Sequence, residues 1–226
     1  MSQKTKYILS IAIFVSVLVI DQIIKVNVKT GMYLGEHIEI TKWFSLVFVE
    51  NNGMAFGWEM FGGNLFLTLF RIVAVVLIGW FIIKEIKAKA PTGYLVCLTL
   101  IMAGAAGNII DCLFYGLIFN NPPYPQTAQF VPWGEGYGEM FYGRVVDMFY
   151  FPLIEWDMPS WVPVYGGQHC IFFSPIFNFA DAAISCGIIA LLLFCHNEVS
   201  RIRIPFISDK AKEEDNKVNS ADEVNE

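Results

Sequence analysis

Four stretches of the chain stay apolar for close to the roughly 20 residues that cross a hydrocarbon core. They cover residues 8–28, 64–83, 94–111 and 176–195, and the pattern predicts four membrane-spanning helices. A short loop, 84–93, joins the second and third, while long segments at 29–63 and 112–175 separate the others. The first stretch is too long and too polar at its far end for a signal peptide, and no small-residue cleavage site follows it. It reads as a retained anchor. Residues 38–49 (IEITKWFSLVFV) favour β structure, with Ile38, Ile40 and Lys42 alternating against Glu39, Thr41 and Trp43 before a more continuous apolar run. Asn51-Asn52-Gly53 then reads as a turn.

Segment 112–175 has a different texture. It holds 17 aromatic residues among 64, and eight of the ten prolines in the chain. Proline at that density argues against another spanning helix, and rings with a polar edge suit the headgroup layer. A partly structured interfacial cap touching phospholipid is expected; an irregular loop with no ligand role is the plainer alternative. Residues 205–226 end in SDKAKEEDNKVNSADEVNE. They read as a disordered cytoplasmic tail without a catalytic role, leaving 1–204 as one transmembrane domain.

Composition supports the membrane reading. The 226 residues are 55% hydrophobic and only 16% charged, where a soluble domain carries about 25%. A water-soluble enzyme, a disordered chain and a collagen are all poor fits. The net charge of −6 is concentrated in the tail, where Lys210, Lys212 and Lys217 stand against seven acids. No basic face for nucleic acid remains. Cations also give the orientation. Lys4, Lys6, Lys84, Lys87, Lys89, Arg201 and Arg203 fall on one side of a four-span chain, against Lys29, Lys42 and Arg144 on the other. Both termini are therefore expected in the cytoplasm and both long segments outside.

Ionisable groups at membrane depth are costly unless paired or used. Here they are Asp21, Lys25, Arg71, Asp111 and Asp181, joined by Asp147 from the apolar stretch 145–149. Asp21 and Lys25, four residues apart, read as a local ion pair, and Arg71 as a snorkelling cation. Asn108 and Asp111, and Asn178 and Asp181, are each spaced i, i+3 and so project from one helix face. They are either the walls of one polar site or hydrogen bonds gluing helices together. The five cysteines form no disulfide framework: Cys97, Cys186 and Cys195 read as packing residues, Cys112 and Cys170 as unpaired. His37, His169 and His196 are scattered, and H-E-x-x-H, G-x-S-x-G and P-loop motifs are absent. Carboxylate chemistry without a metal or cofactor remains. A proton- or ion-coupled transporter would also place Asp and Asn in its spans, but the outer segments show no repeat symmetry. A non-enzymatic scaffold would not need paired carboxylates and amides.

Five short motifs occur in order: Asp21-Gln22-x-x-Lys25, Asn51-x-Gly53-x-Ala55-Phe56, Gly107-Asn108-x-x-Asp111, Val145-Val146-Asp147 and Phe177-Asn178-x-Ala180-Asp181. In these, residues 8 to about 196 resemble the lipoprotein signal peptidase (signal peptidase II) family of bacterial membrane aspartyl proteases. The resemblance implies that Asp147 and Asp181 are the catalytic dyad. It makes Asn51, Gly53, Asn108, Asp111 and Asn178 polar support, and Asp21 and Lys25 structural. It also implies an inner-membrane enzyme, expected as a monomer, with its site toward the periplasm. The substrate would be a prolipoprotein carrying diacylglycerol on the cysteine before which cleavage falls. Two departures stand out. Cys112 occupies the position of a family arginine, for which Arg144 is a candidate substitute, and the link from Cys112 to Gly143 is unusually long.

Overall fold

Long runs of Leu, Ile, Val and Phe form helices whose exposed faces are apolar, which suits lipid, while α1 buries Asp21, Lys25 and Lys29 on its inner face. The computed structural model describes residues 1–51, 64–164 and 166–200. Helix α1 (Gln3–Gly31) outruns the expected span at both ends. Its start is capped by the Ser2 hydroxyl, which accepts from Thr5 N at 3.2 Å. Helix α2 (Asn64–Lys87) keeps Lys84 and Lys87 in its last turn, where cations meet the negative end of the helix. The loop before α3 (Thr92–Ile110) is therefore shorter than 84–93.

Two expected boundaries move further. The third span does not stop at Asp111; it continues through a π-helical turn (Asp111–Tyr115) into α4 (Gly116–Ile118). The stretch 176–195 is divided. Ile176–Phe177 form a strand, Asn178 caps the next helix, and α5 runs Phe179–Phe194, ahead of the short α6 (His196–Ser200). At about 1.5 Å per residue, the 16 residues of α5 reach about 24 Å. Among the described residues, three helices are long and apolar enough to cross a membrane, and α5 is a shorter apolar one.

The extended segments form a small antiparallel sheet. Strands β1 (His37–Thr41), β2 (Phe44–Asn51), β3 (Val145–Tyr150) and β6 (Ile176–Phe177) lie in that order. Residues 38–49 are thus a hairpin, and Lys42 and Trp43 make its turn. Within this hairpin β2 buries side chains, Ser45 and Phe48, whereas β1 is exposed along its length. Asn52 and Gly53 of the expected turn lie outside the described residues. Strands β4 (Ile154–Asp157) and β5 (His169–Phe172) pair as a separate hairpin.

The core joins sheet to helices. Val28 and Met32 of α1, Phe48 of β2 and Val146 and Met148 of β3 pack against Tyr115, Phe119 and Ala128. Part of the 112–143 link is therefore interior, with Phe119 fully buried while Tyr124 and Trp133 remain exposed. A link expected only at the interface carries core residues because the sheet needs a partner on the face that β2 and β3 bury.

Helices α3 and α5 meet through glycine. A Cβ on Gly104 would lie 2.2 Å from the Ala180 carbonyl oxygen, a backbone atom that cannot swing aside. A Cβ on Gly93 would meet nothing within 4 Å. Overpacking costs about 1–3 kcal/mol, or roughly 2–4 °C in Tm for each kcal/mol at this chain length. Gly104→Ala should lower the melting temperature in detergent by about 5 °C or more, while Gly93→Ala leaves it unchanged or slightly raised. Differential scanning fluorimetry on the two variants checks this.

Candidate active site

The buried polar residues converge on one ammonium. Lys25, on the inner face of α1, is completely buried, as are Asp21 and Asp111. Its Nζ lies 2.9 Å from Asp21 Oδ2 and 2.8 Å from Asp111 Oδ2, and it donates to Asn108 Oδ1 at 2.8 Å. The i, i+4 pair expected from spacing is present, but it is one edge of a larger cluster. Gln22 donates to Asp111 Oδ1 at 2.9 Å and accepts from the Tyr115 hydroxyl at 3.1 Å. No room is left beside it: a Cβ on Gly107 would lie 2.8 Å from Asp21 Oδ2.

The two anions of this cluster also hold backbone. Asp21 Oδ1 accepts from Ala180 N at 2.9 Å, and Asp111 Oδ2 from Val146 N at 3.3 Å. Ala180 and Val146 immediately precede Asp181 and Asp147. The cluster thus anchors the chain next to both remaining carboxylates, one on α5 and one on β3.

Asp147 and Asp181 are joined through two amides. Asn178 Nδ2 donates to Asp147 Oδ1 at 2.6 Å and to Asn108 Oδ1 at 3.1 Å. Asn108 Nδ2 in turn donates to Asp181 Oδ1 at 2.8 Å. Asn51 Nδ2, at the end of β2, donates to Asp147 Oδ2 at 3.2 Å. Asn178 and Asp181 also form a capping box at the start of α5: Asn178 Oδ1 accepts from Asp181 N at 2.9 Å. Asn178 is therefore not on a helix face with Asp181, as its spacing suggested; it sits one residue before the helix, with extended backbone. Asp111 likewise turns away from the Asp147–Asp181 pair toward Lys25.

Burial pushes the Asp147 carboxyl up to about 7, and the negative charge of Asp181 adds to the rise. The hydrogen bonds from Asn178 and Asn51 and the charge of Lys25 pull the other way. A carboxyl that titrates near neutrality beside a second carboxylate is suited to sharing one proton and to acid–base work.

The remaining candidates fall elsewhere. The Arg144 guanidinium is engaged on the sheet side of the site. It donates to Glu50 Oε2 at 2.9 Å and stacks on the Tyr137 ring at 5.0 Å. The cation beside Cys112 is Arg71 of α2, with Nη1 3.7 Å from Sγ. Cys112 and Cys170 are both free. Gly53 lies outside the described residues. Sequence reasoning missed Gln22 as a ligand of Asp111, and it missed Glu50 and Lys29. Gln22 stood inside a quoted motif and its amide was the available signal; Glu50 sat beside Asn51 in an apolar run and drew no notice.

Comparisons with known proteins bear on this arrangement. Residues 13–196 match the family model described as signal peptidase (SPase) II. A protein of Porphyromonas gingivalis named lipoprotein signal peptidase is 53% identical over 186 residues, covering 82% of this chain and 81% of that one. A protein of the same name from Amoebophilus asiaticus is 38% identical over 184 residues, covering 77% and 72%. A bacterial membrane enzyme solved by the in meso method at 2.3 Å shares the fold, with TM-score 0.55 at 24% identity over 86% of this chain and 92% of that one.

Removing the cation tests the cluster. Lys25→Met would leave two fully buried carboxylates facing one another, a change that costs about 3–5 kcal/mol. The variant should lose on the order of 10 °C in melting temperature, or fail to purify as a monodisperse species. A wild-type melting curve would show that Lys25 does not hold the cluster.

Proposed function

The chain belongs to the signal peptidase II family, and from that premise we propose that it removes signal peptides from prolipoproteins by hydrolysis at Asp147 and Asp181. The observation that carries this reading is the pair of amides that links the two carboxylates, with Asn178 on Asp147 and Asn108 on Asp181. The ionised member of the pair takes a proton from water as the water oxygen attacks the scissile carbonyl carbon. The protonated member gives its proton to the carbonyl oxygen; as the C–N bond of the resulting diol breaks, the proton taken from water passes to the amine nitrogen and a diol hydroxyl returns its proton to the other carboxylate. No covalent intermediate forms. Asn51, Asn108 and Asn178 orient the carboxylates; Asp111, Asp21 and Lys25 hold the backbone beside them, and Arg144 holds Glu50.

The substrate in this reading carries diacylglycerol on the cysteine that follows the cut. Its apolar signal helix and acyl chains arrive laterally in the bilayer, and water reaches the carboxylates from the outer face. Four helices cross the inner membrane, α5 being the fourth and shortest, and residues 1–204 form one monomeric domain. Lys84 and Lys87 at the end of α2, and the Lys6 bond to the Lys89 and Ala90 carbonyls, support cytoplasmic placement of the α2–α3 turn and of the N-terminus. The tail 205–226 then lies in the cytoplasm. The exposed aromatic rings of 112–175, Phe130 and Trp133 among them, meet phospholipid headgroups.

Purified protein in detergent should cleave a diacylglyceryl-modified signal peptide and leave the unmodified peptide uncut. Asp147→Asn and Asp181→Asn should each reduce turnover to below a few per cent while the protein still purifies. Residual turnover above that level removes the residue concerned from the pair.

A pH dependence follows from Asp147. Its carboxyl sits near 7 in the folded protein against 3.8 in an ordinary setting, so the folded state holds more protons than the unfolded one across that window. Stability therefore falls as pH rises from about 4 to 7. Asn at this position does not titrate, so Asp147→Asn should melt above wild type at pH 8, with the gap closing toward pH 4. In the wild type, turnover should fall as pH rises through about 7, because the pair loses its shared proton. Melting curves and initial rates between pH 4 and 9 test both signs.

A further inference from the structure

A second charge cluster, buried at Lys29 and Glu50 and open to solvent at Arg144, lies on the sheet side of the site. Glu50, the residue before Asn51 on β2, holds its carboxylate between two cations. Arg144 donates to Oε2 at 2.9 Å, and Lys29, in the last turn of α1, donates to Oε1. Lys29 is 1% exposed. Three rings surround its ammonium: Tyr137 at 5.1 Å, Phe119 at 5.3 Å and Phe48 at 5.8 Å. Tyr137 also lies on the Arg144 guanidinium, and its hydroxyl accepts from Arg144 N at 2.8 Å. Two of these three rings come from the long link 112–143.

Ion clusters in dry surroundings recover little net stability, because desolvation offsets the attraction. What this cluster does fix is a position. Its charges bridge the end of α1, strand β2 and the residue before β3. In the β2–β3 ladder, Asn51 pairs with Val145, Glu50 with Val146 and Val49 with Asp147, and the register shifts between Leu46 and Val49. The ladder is thus interrupted just before the end that carries Asn51 and Asp147, and a one-residue slip of β2 there would turn Asn51 to the face away from Asp147.

We propose that Glu50 is a positioning residue: clamped by Lys29 and Arg144, it locks β2 on β3 so that Asn51 holds the Asp147 carboxylate, and the 112–143 link is the brace that keeps the clamp buried. The proposal rests on reading Asp147 as one of the reacting carboxylates.

A double-mutant cycle on the full chain in detergent tests it, with diacylglyceryl-modified signal peptide as substrate and rates divided by the titrated active fraction. Glu50→Gln should lower kcat roughly tenfold with KM within about twofold, and Glu50→Asp, which keeps the charge, should recover part of the loss. Asn51→Ala should also lower kcat. The double variant should be no slower than Asn51→Ala alone, since Glu50 acts through that amide. A purely structural role would lower the active fraction and the melting temperature while leaving kcat per active molecule unchanged. If the losses multiply in the double variant, or Glu50→Gln keeps wild-type kcat, the proposal fails. Should Glu50→Gln not fold, Tyr137→Phe takes its place in the same cycle: a lowered kcat, non-additive with Asn51→Ala, supports the clamp, and a wild-type kcat overturns it. Asp147→Asn separates the two readings. If it retains turnover, the dyad assignment fails; if it is inactive while the cycle is additive, only the role of Glu50 fails.

Discussion

A single ammonium buried among apolar helices constrains everything around it. Lys25 cannot meet water, so its charge must be balanced by carboxylates brought from elsewhere in the chain. Asp21 comes from its own helix, while Asp111 and Asn108 come from α3 and the π-helical turn that ends it. Meeting that one demand brings α1 against α3. The two balancing carboxylates still have lone pairs to fill, and they fill them with the backbone N–H groups of Ala180 and Val146. In this way α5 and β3 are drawn to the same point. The residues that follow those two amides are Asp181 and Asp147. A requirement for charge balance therefore fixes the relative position of two carboxylates on different elements.

Backbone satisfaction imposes a second constraint. A helix that begins among apolar neighbours leaves its first N–H groups without partners unless a side chain supplies an acceptor. Asn178 supplies one for α5 through its carbonyl oxygen, which leaves its NH₂ group for Asp147 and Asn108. An amide has two acceptor lone pairs and two donors, and here both donors and the oxygen are engaged. The cap of the helix and the bridge between the carboxylates are one residue. An Asp at this position could cap the helix but would offer no N–H to Asp147, and a Ser would be too short to reach it.

The elements that were legible in the sequence are those set by runs and by local pairs. The apolar runs located three long helices and the shorter apolar α5, and the β-branched stretch near residue 45 marked extended structure, because hydrophobic periodicity is a local property. Boundaries moved where tertiary bonds outweighed it. Ile176 and Phe177 are as apolar as the helix they precede, yet they pair with β3 because Asn178 stops the helix behind them. Lys42-Trp43 became a turn because β2 has a face to bury and β1 has none. In the site, Asp147, Asp181, Asn108 and Asn178 were visible as polar residues in apolar settings. Their division into a carboxylate pair and a lysine cluster was not, since Asp111 shares the spacing of Asp181 and differs only in what lies across the helix interface. Glu50 was hidden for a similar reason: its partners are 21 and 94 residues away.

The two charge clusters differ in what they hold, and the site lies between them. On the helix side, Asp21 and Asp111, balanced by Lys25, grip backbone N–H groups, which sets where the carboxylate-bearing segments lie, while the amides of Asn108 and Asn178 orient the Asp181 and Asp147 side chains. On the sheet side, Lys29, Glu50 and Arg144 grip the strand end that carries Asn51, whose amide reaches the side chain of Asp147 itself. Backbone placement and side-chain orientation are thereby assigned to separate groups. In the proposed reaction that separation matters, because a direct ion pair to Asp147 would hold its carboxyl ionised. Neutral amides from Asn51 and Asn178 orient the carboxyl and pull on its proton less than a directly paired cation would, while Lys25, Lys29 and Arg144 make their ion pairs with other carboxylates. The charges that fix the geometry are therefore kept one step away from the proton that has to move.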